Sequence, residues 1–284
     1  MDLIADTNVW YDISQGIRNP ARLKEGGDRL IATPISLLEI ASLISKQSFS
    51  ERKEAAKAVI AYADEIAVDN EYHLATLWGL QVNRPNVPWL EGYQAIAMAN
   101  TLQELQDGIN DFVNQRIIKV NLPLANVWRG YHWNDFYDKV VDAIDQRVPG
   151  YKKKLRRGKS PHYLNKEKGH ILANELRSLE SGIVFTLATF VRALKVANQP
   201  PRIPSEKEVF IAEPLVAPYV AAYIEYLISC ATKISPEPND LGDSEIFYYL
   251  QGNNRFLSSD RRWVNISRIA CPKYCFDPEN KVVS

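Results

Sequence analysis

The sequence predicts an α/β protein with a mostly parallel central sheet, interrupted by an all-α insertion. Two observations predict the sheet: short apolar runs alternate with helical patterns over residues 1–82, and the same alternation returns over residues 236–284. A third observation predicts the insertion, because residues 83–235 carry successive helical patterns without clear strand alternation. We therefore expect a discontinuous α/β domain, 1–82 with 236–284, and a helical insertion over 83–235.

The N-terminal part of the predicted α/β domain contains short apolar runs of strand length. Such runs are typical of strands that are buried on both faces of a parallel sheet. We expect these strands at 3–5, 30–32 and 66–68. Helical patterns follow the runs, and the sequence Ser36-x-x-Glu39 predicts a capping box that opens one of the helices. We expect these helices over 9–16, from 36 onward, over 51–64 and over 73–80.

The C-terminal part continues this alternation. Either Asn239 or Asp240 can cap a helix that we expect over 243–250. A strand is expected over 255–258, and it ends beside Asp260. Because active sites in open parallel sheets collect at the carboxyl ends of the strands, we expect residues that follow the strands to share one cleft.

The predicted insertion contains helices separated by breaks that contain proline. We expect these helices at 93–118, 134–147, 166–197 and 215–233. Two apolar stretches, 183–191 and 215–232, are expected to be buried helices and not membrane spans. The first is too short and ends at Arg192, and the second contains Pro218 and Glu225.

The composition argues against a general affinity for polyanions, because Lys+Arg and Asp+Glu number 34 each and the formal net charge is zero. Three cysteines are too few for a disulfide scaffold and fit a reducing compartment. The N-terminus carries no positively charged start, so no secretory signal is predicted. We expect a cytoplasmic protein.

Four acidic residues lie where the predicted elements bring the chain together, at Asp6, Glu39, Asp243 and Asp260. Asp6 and Asp260 follow strands, and the other two are expected in the first turns of helices that begin on the same side of the sheet. Two carboxylates at ~4 Å repel by about 4 kcal/mol at an effective dielectric near 20, so a proton or a cation is needed between them. Mg²⁺ and Mn²⁺ prefer oxygen ligands. The pattern therefore predicts a centre for one or two such ions.

Each of these residues also has a structural explanation when it is taken alone. Glu39 would complete the capping box with Ser36. Asp243 suits the positive end of its helix, Asp6 suits a helix N-cap, and Asp260 suits a turn after a strand. The metal hypothesis therefore rests on all four acids together, each at the appropriate end of its element.

The segments that contain these acids resemble the motifs of PIN-domain (PilT N-terminus-like) ribonucleases. The similar segments are Ala5 to Val9, Thr33 to Ile40, Ile66 to Asp69, Asp243 to Ile246 and Phe256 to Asp260. The resemblance covers 1–82 and 236–284, whereas 83–235 has no counterpart that we recognise. It implies a PIN-like α/β/α sandwich with a large helical insertion.

The resemblance implies a catalytic role for the four acids. Asp6, Glu39, Asp243 and Asp260 match the metal-binding positions of the family. The implied reaction is hydrolysis of RNA phosphodiester bonds with Mg²⁺ or Mn²⁺ as cofactor, leaving 5′-phosphate and 3′-hydroxyl ends.

Three further residues match supporting positions. Asn8 matches a polar residue that hydrogen-bonds the first Asp, and Ser259 matches the Ser or Thr before the last acid. Asp240 lies one helical turn before Asp243, where either an auxiliary ligand or a helix cap is expected.

Basic residues at two places are candidates for contact with RNA phosphates. Arg261 and Arg262 directly follow Asp260, although Arg261 to Trp263 departs from the commonest pattern of the family. A basic run flanked by aromatic residues is the second candidate, and such a run is also typical of a solvated loop. It comprises Lys152, Lys153, Lys154, Arg156 and Arg157.

The leading hypothesis is a metal-dependent endoribonuclease, either toxin-like or acting in RNA processing, with RNA as its substrate. A protein inhibitor or antitoxin and a homodimer are left open as partners, and no membrane partner is expected. The alternative is a catalytically silent PIN-like scaffold that binds RNA or protein. A phosphatase of the haloacid dehalogenase type also begins with an Asp after a strand, but it needs a second Asp where this chain has Asn8.

Overall fold

The sheet has four parallel strands in the order β3-β2-β1-β4 in a computed structural model of the chain. The strands are β1 (Asp2–Ala5), β2 (Arg29–Ala32), β3 (Glu65–Ile66) and β4 (Arg255–Leu257). The structure describes residues 1–41, 47–82, 87–112, 141–142, 145–146, 149–150, 152–153, 166–232, 234 and 240–276. The α/β class and the parallel sheet are thus confirmed.

Both faces of the sheet are buried. Successive side chains of a strand point to opposite faces, so Leu3 and Ala5 of β1 lie in one hydrophobic core and Ile4 lies in a second core. In β2 the same alternation places Leu30 in the first core and Ile31 in the second. Layers on both sides of the sheet explain why the three buried residues of each of these strands, 3–5 and 30–32, are all apolar.

Helices cover the two faces. The first α-helices of the described chain are α1 (Thr7–Ser14), α2 (Pro20–Leu23), α3 (Pro34–Ala41), α4 (Phe49–Tyr62), α5 (Asn70–Leu77), α6 (Trp89–Met98) and α7 (Leu102–Phe112). The later ones are α8 (Lys166–Leu176), α9 (Leu179–Val196), α10 (Glu206–Thr232), α11 (Asp240–Glu245) and α12 (Arg261–Ala270). Short 3₁₀ helices span Ile246–Tyr249 and Pro272–Tyr274.

The helices between 83 and 235 share these two cores with the sheet. Helices α6 and α7 contribute Tyr93 and Leu105 to the first core, together with α1, α3 and α4. Helices α9 and α10 contribute Phe190 and Val216 to the second core, together with α5 and α12. The division of the chain into two domains stays a prediction, and the described helices of the insertion pack directly beside the strands.

Two helices that were predicted for the insertion are each two separate helices in the structure. The helix expected over 93–118 is α6 and α7, with extended backbone at Ala99 between them. The helix expected over 166–197 is α8 and α9, because the side chain of Ser178 caps a new helix. Most of the helix expected over 134–147 lies outside the described residues.

Helix α10 begins nine residues before the predicted start. Ser205 and Glu208 form its N-terminal capping box, with the Ser205 N–H donating to the Glu208 carboxylate at 2.8 Å. The helix continues through Pro214 and Pro218, although each proline removes one backbone hydrogen bond. The apolar face that includes the fully buried Val216 outweighs that cost.

The two apolar stretches differ in burial. Glu206–Cys230 of α10 is long and apolar enough, by length and composition alone, to cross a membrane, and 56% of its most apolar window is buried inside the protein. Helix α9 is buried on one face only, because Ile183, Val184 and Val191 are exposed. The predicted burial of the helix over 183–191 thus holds for one face only, since an amphipathic helix that packs against α5 and α10 leaves its outer face uncovered.

Candidate metal centre

Three of the four predicted acids converge. Asp6 follows β1, Glu39 lies on α3 and Asp243 lies on α11, and one carboxylate oxygen from each falls within 4.8 Å of the others. The chain runs from β1 to β2 and β3 on one side, and β4 then pairs with β1 on the other side, so the strand order reverses at β1. Open α/β sheets form ligand crevices at such a point.

Asp6 is held by hydrogen bonds from its own loop and from the loop after β4. Its Oδ1 accepts from the Thr7 backbone N–H at 2.6 Å, and its Oδ2 accepts from the Ser258 hydroxyl at 2.7 Å. The Asn8 amide donates to Oδ2 at 3.3 Å, which is the supporting contact predicted for Asn8. Asp6 also caps α1, so its structural role and its place in the cluster coexist.

Glu39 is oriented by one hydrogen bond and leaves its second oxygen unpaired. The Thr7 hydroxyl donates to Oε2, and Oε1 is buried without a hydrogen-bond partner among the residues that the structure describes. The predicted capping box between Ser36 and Glu39 is wrong, because α3 begins at Pro34 and the Thr33 hydroxyl accepts from the Ser36 N–H at 3.3 Å. Glu39 therefore lies in the second turn of α3, where a helix cap cannot explain it.

Asp243 lies in the first turn of α11, as predicted, although that helix begins at Asp240 and ends at Glu245. The indole N–H of Trp263 donates to its Oδ2 at 2.8 Å. Only 4% of Asp243 is exposed, so its carboxylate is surrounded by protein groups and not by water.

The electrostatics of the cluster favour protonation in the absence of a cation. Burial, together with the charge of Asp260, raises the pKa of Asp6 to about 6. Burial and repulsion by Asp6 raise the pKa of Glu39 to about 8. Burial, with repulsion by Glu39 and Asp6, raises the pKa of Asp243 well above its usual range. A divalent cation among these oxygens would remove the repulsion.

Asp260 lies near the three acids, but it does not belong to the group whose oxygens lie within 4.8 Å of one another. Its Oδ1 accepts from the Arg262 backbone N–H at 2.7 Å, so Asp260 is the N-cap of α12. Its Oδ2 lies 3.2 Å from the Arg262 guanidinium, which also lies 3.2 Å from Asp240. Arg262 thus bridges two carboxylates, and its expected contact with RNA competes with this pairing.

Asp240 is completely buried and is the first residue of α11. The Tyr226 hydroxyl donates to its Oδ2 at 2.6 Å, and Arg262 pairs with its Oδ1. Its oxygens therefore have partners on α10 and α12, which distinguishes Asp240 from Glu39.

Ser259 points away from the cluster. Its hydroxyl donates to Asp12 and accepts from the Arg18 guanidinium at 3.2 Å. The neighbouring Ser258 makes the contacts that were expected of a supporting hydroxyl, because it donates to Asp6 and accepts from the Asp260 N–H at 2.9 Å. Ser258 matches the same sequence motif, so a shift of one residue separates the prediction from the structure.

The remaining basic candidates differ in position. Arg261 is exposed directly after Asp260, on the first turn of α12. Lys152 forms an ion pair with Asp142 at 2.6 Å. Lys153 is exposed. The other members of the basic run, Lys154, Arg156 and Arg157, lie outside the described residues.

Sequence reasoning missed three residues that orient the acids. Thr7, Ser258 and Trp263 hydrogen-bond Glu39, Asp6 and Asp243 respectively. Thr7 and Ser258 lie within the segments that resemble the family, so their positions carried a signal. Nothing in the sequence around Trp263 indicates that its indole N–H reaches α11.

Comparison of the chain with protein-family models, with curated proteins and with solved structures finds no significant match.

Proposed function

We propose that this protein is a metal-dependent endoribonuclease that hydrolyses RNA phosphodiester bonds. The observation that carries the proposal is the convergence of Asp6, Glu39 and Asp243, with one oxygen of each within 4.8 Å. Oε1 of Glu39 is buried and has no hydrogen-bond partner in the described part of the chain, which fits a cation ligand, because buried carboxylate oxygens otherwise retain a partner. The hard oxygen donor set suits Mg²⁺ or Mn²⁺.

The protein's contribution is to hold these donors in place. Asp6, Glu39 and Asp243 would bind the cation, and Asp260 lies close enough for its charge to raise the pKa values of the other acids. A bound Mg²⁺ or Mn²⁺ lowers the pKa of water and stabilises charge on a phosphate and its leaving oxygen. Thr7 and Ser258 fix the acids through hydroxyl groups, which limits the reorganisation needed during the reaction.

The choice of RNA as substrate rests on the resemblance to PIN-domain ribonucleases and on one basic side chain. Arg261 is exposed one residue after Asp260, where it can contact a phosphate next to the scissile bond. A cytoplasmic location stays a prediction from the sequence, and a protein inhibitor or antitoxin and a homodimer stay open as partners that the family resemblance suggests.

The test is cleavage of a mixed pool of single-stranded and structured RNA by the purified protein in Mg²⁺ or Mn²⁺. Asp6→Asn, Glu39→Gln and Asp243→Asn should each abolish the metal-dependent cleavage, as should EDTA. Glu54→Gln, at an exposed position of α4, is the matched control and should cleave as the wild type does. End mapping should find 5′-phosphate and 3′-hydroxyl products. If the Asp243→Asn variant still cleaves RNA, the cleavage does not come from this centre.

The alternative is a catalytically silent scaffold, and the position of Arg262 favours it. Arg262 places a permanent cation between Asp240 and Asp260, which satisfies part of the acidic charge without a metal. RNA binding without cleavage, together with no measurable binding of Mn²⁺ by calorimetry, would support the scaffold. Binding of Mn²⁺ that is lost in Glu39→Gln would support the nuclease.

A further inference from the structure

Helix α11 carries three buried carboxylates, at Asp240, Asp243 and Glu245. The helix has six residues and is too short to be stable without contacts to other elements. Its position, and with it the position of Asp243, therefore depends on the groups that bind the two flanking carboxylates.

The N-terminal end of α11 is bound by α10. The Tyr226 hydroxyl donates to Asp240 at 2.6 Å, and both side chains are buried. The Tyr226 ring also stacks on Trp263 with 5.3 Å between ring centroids, and the Trp263 indole donates to Asp243. Tyr226 is thus linked to Asp243 in two ways: through Trp263, and through Asp240 on the same helix.

The C-terminal end of α11 is bound by α9. The Arg192 guanidinium forms an ion pair with Glu245 and lies 3.5 Å from Glu71 on α5. The Asn70 amide donates to the second oxygen of Glu245. Loss of Arg192 would leave two neighbouring carboxylates without their cation, so Glu245 would have to move or take up a proton.

We propose that Tyr226 and Arg192 are positioning residues that hold Asp243 in the metal centre. Both belong to the segment 83–235, which the sequence presents as an insertion without a recognised counterpart. The helices of this segment therefore set the geometry of the acids, and a change in the packing of α9 or α10 would alter metal binding. The inference rests on the proposed function only where it treats Asp243 as a metal ligand.

The test compares Tyr226→Phe and Arg192→Met with two control variants. Trp78→Phe removes a buried indole N–H that donates to the Thr189 hydroxyl at 3.0 Å, outside residues 241–250. Arg177→Met removes the partner of the buried Glu225 on α10, at a bond that does not involve α11. Circular dichroism selects folded variants, and Arg192→Lys replaces Arg192→Met if the latter does not fold.

Two measurements are made on each folded variant. Calorimetry should show Mn²⁺ binding about tenfold weaker in Tyr226→Phe and Arg192→Met than in the controls. Hydrogen exchange of the metal-free proteins should be faster at residues 241–250 in these two variants only, because the opening is local. Arg192→Lys should recover part of both effects.

The outcomes separate this inference from the proposed function. If the wild type neither binds Mn²⁺ nor cleaves RNA, the proposed function fails, and the exchange rates at 241–250 alone decide the positioning role. Exchange and Mn²⁺ affinity that match the controls in both variants would overturn the inference. Equal effects in the control variants would also overturn it, because they would indicate a general loss of stability.

Discussion

The indole N–H of Trp263 lies 2.8 Å from Oδ2 of Asp243, and both side chains are buried. The bond joins the first turn of α12 to the short helix that carries the third acid of the cluster. A donor that holds one oxygen of a metal-binding carboxylate fixes the orientation of that carboxylate and leaves its other oxygen for a cation.

Trp263→Phe should therefore weaken metal binding as well as stability. The ring would still pack, but Asp243 would lose its donor, so Mn²⁺ affinity should fall by about 10–100-fold. The free energy of unfolding should fall by about 1–3 kcal/mol, because the buried carboxylate oxygen is left unsatisfied. Calorimetry with Mn²⁺ and urea unfolding measure the two effects.

Trp78→Phe is the matched control for this prediction. Its indole N–H donates to the Thr189 hydroxyl at 3.0 Å, both groups are buried, and the bond involves none of the acids. This variant should lose stability and keep its Mn²⁺ affinity. Equal losses of affinity in the two variants would contradict a direct role for Trp263.

The two serines after β4 should behave differently. Ser258→Ala removes a donor to Asp6 and the acceptor of the Asp260 N–H, so Mn²⁺ affinity should fall about tenfold. Ser259→Ala removes contacts with Asp12 and Arg18 on the other side of the loop. It should lower stability by about 1 kcal/mol and leave Mn²⁺ affinity unchanged. The reverse order of effects would support the original prediction for Ser259.

Close packing between α6 and α3 should make substitution of Gly92 destabilising. A Cβ at Gly92 would lie 2.5 Å from Leu37, two residues before Glu39, and 3.1 Å from Phe112. Gly92→Ala should therefore destabilise the protein by about 1–3 kcal/mol in urea unfolding. Gly108→Ala on α7 meets only an ordinary contact at 3.5 Å.

Gly108→Ala should stabilise the protein by up to ~1 kcal/mol, because alanine favours a helix more than glycine does. Because the free energy of unfolding should fall in Gly92→Ala and rise in Gly108→Ala, the pair separates the effect of packing from that of helix propensity. Destabilisation by both substitutions to the same extent would argue against close packing at Gly92.

Much of the acidic cluster was predictable because its members follow the ends of strands or lie on helices that begin at that edge of the sheet. The apolar runs before Asp6 and Asp260 located β1 and β4, and parallel pairing then placed both acids at one edge. Glu39 was predicted for the cluster but assigned to the wrong turn, since Ser36 offered a capping box while Thr33 caps the helix. Local sequence patterns cannot choose between two hydroxyl residues that lie three positions apart as caps.

The contacts around Asp243 were not predictable. Trp263 and Tyr226 reach α11 through tertiary packing, and no spacing in the sequence pairs them with Asp243 or Asp240. The start of α10 had a signal in Ser205 and Glu208, but Pro214, directly before the predicted start at 215, disfavours a helix that continues through it. Burial of α10 against the sheet core overrides that local preference.

The stability of the metal-free protein should fall as the pH rises from about 4 to 8. The folded state raises the pKa of Asp6 from 3.8 to about 6 and that of Glu39 from 4.5 to about 8. Between the ordinary and the raised pKa the unfolded chain has released these protons and the folded protein retains them, so rising pH favours unfolding. Above the raised values the loss is complete and this contribution to stability becomes constant.

Glu39→Gln should remove much of this pH dependence. In EDTA the variant should be more stable than the wild type by on the order of 2 kcal/mol at pH 8, with little difference at pH 4.5. Mn²⁺ should raise the melting temperature of the wild type more at pH 8 than at pH 5, because the cation binds the ionised carboxylates. Glu54→Gln, on the exposed face of α4, should follow the wild type at every pH. A melting temperature of Glu39→Gln that stays below that of the wild type at pH 8 in EDTA would show that the acids do not repel one another in the folded protein.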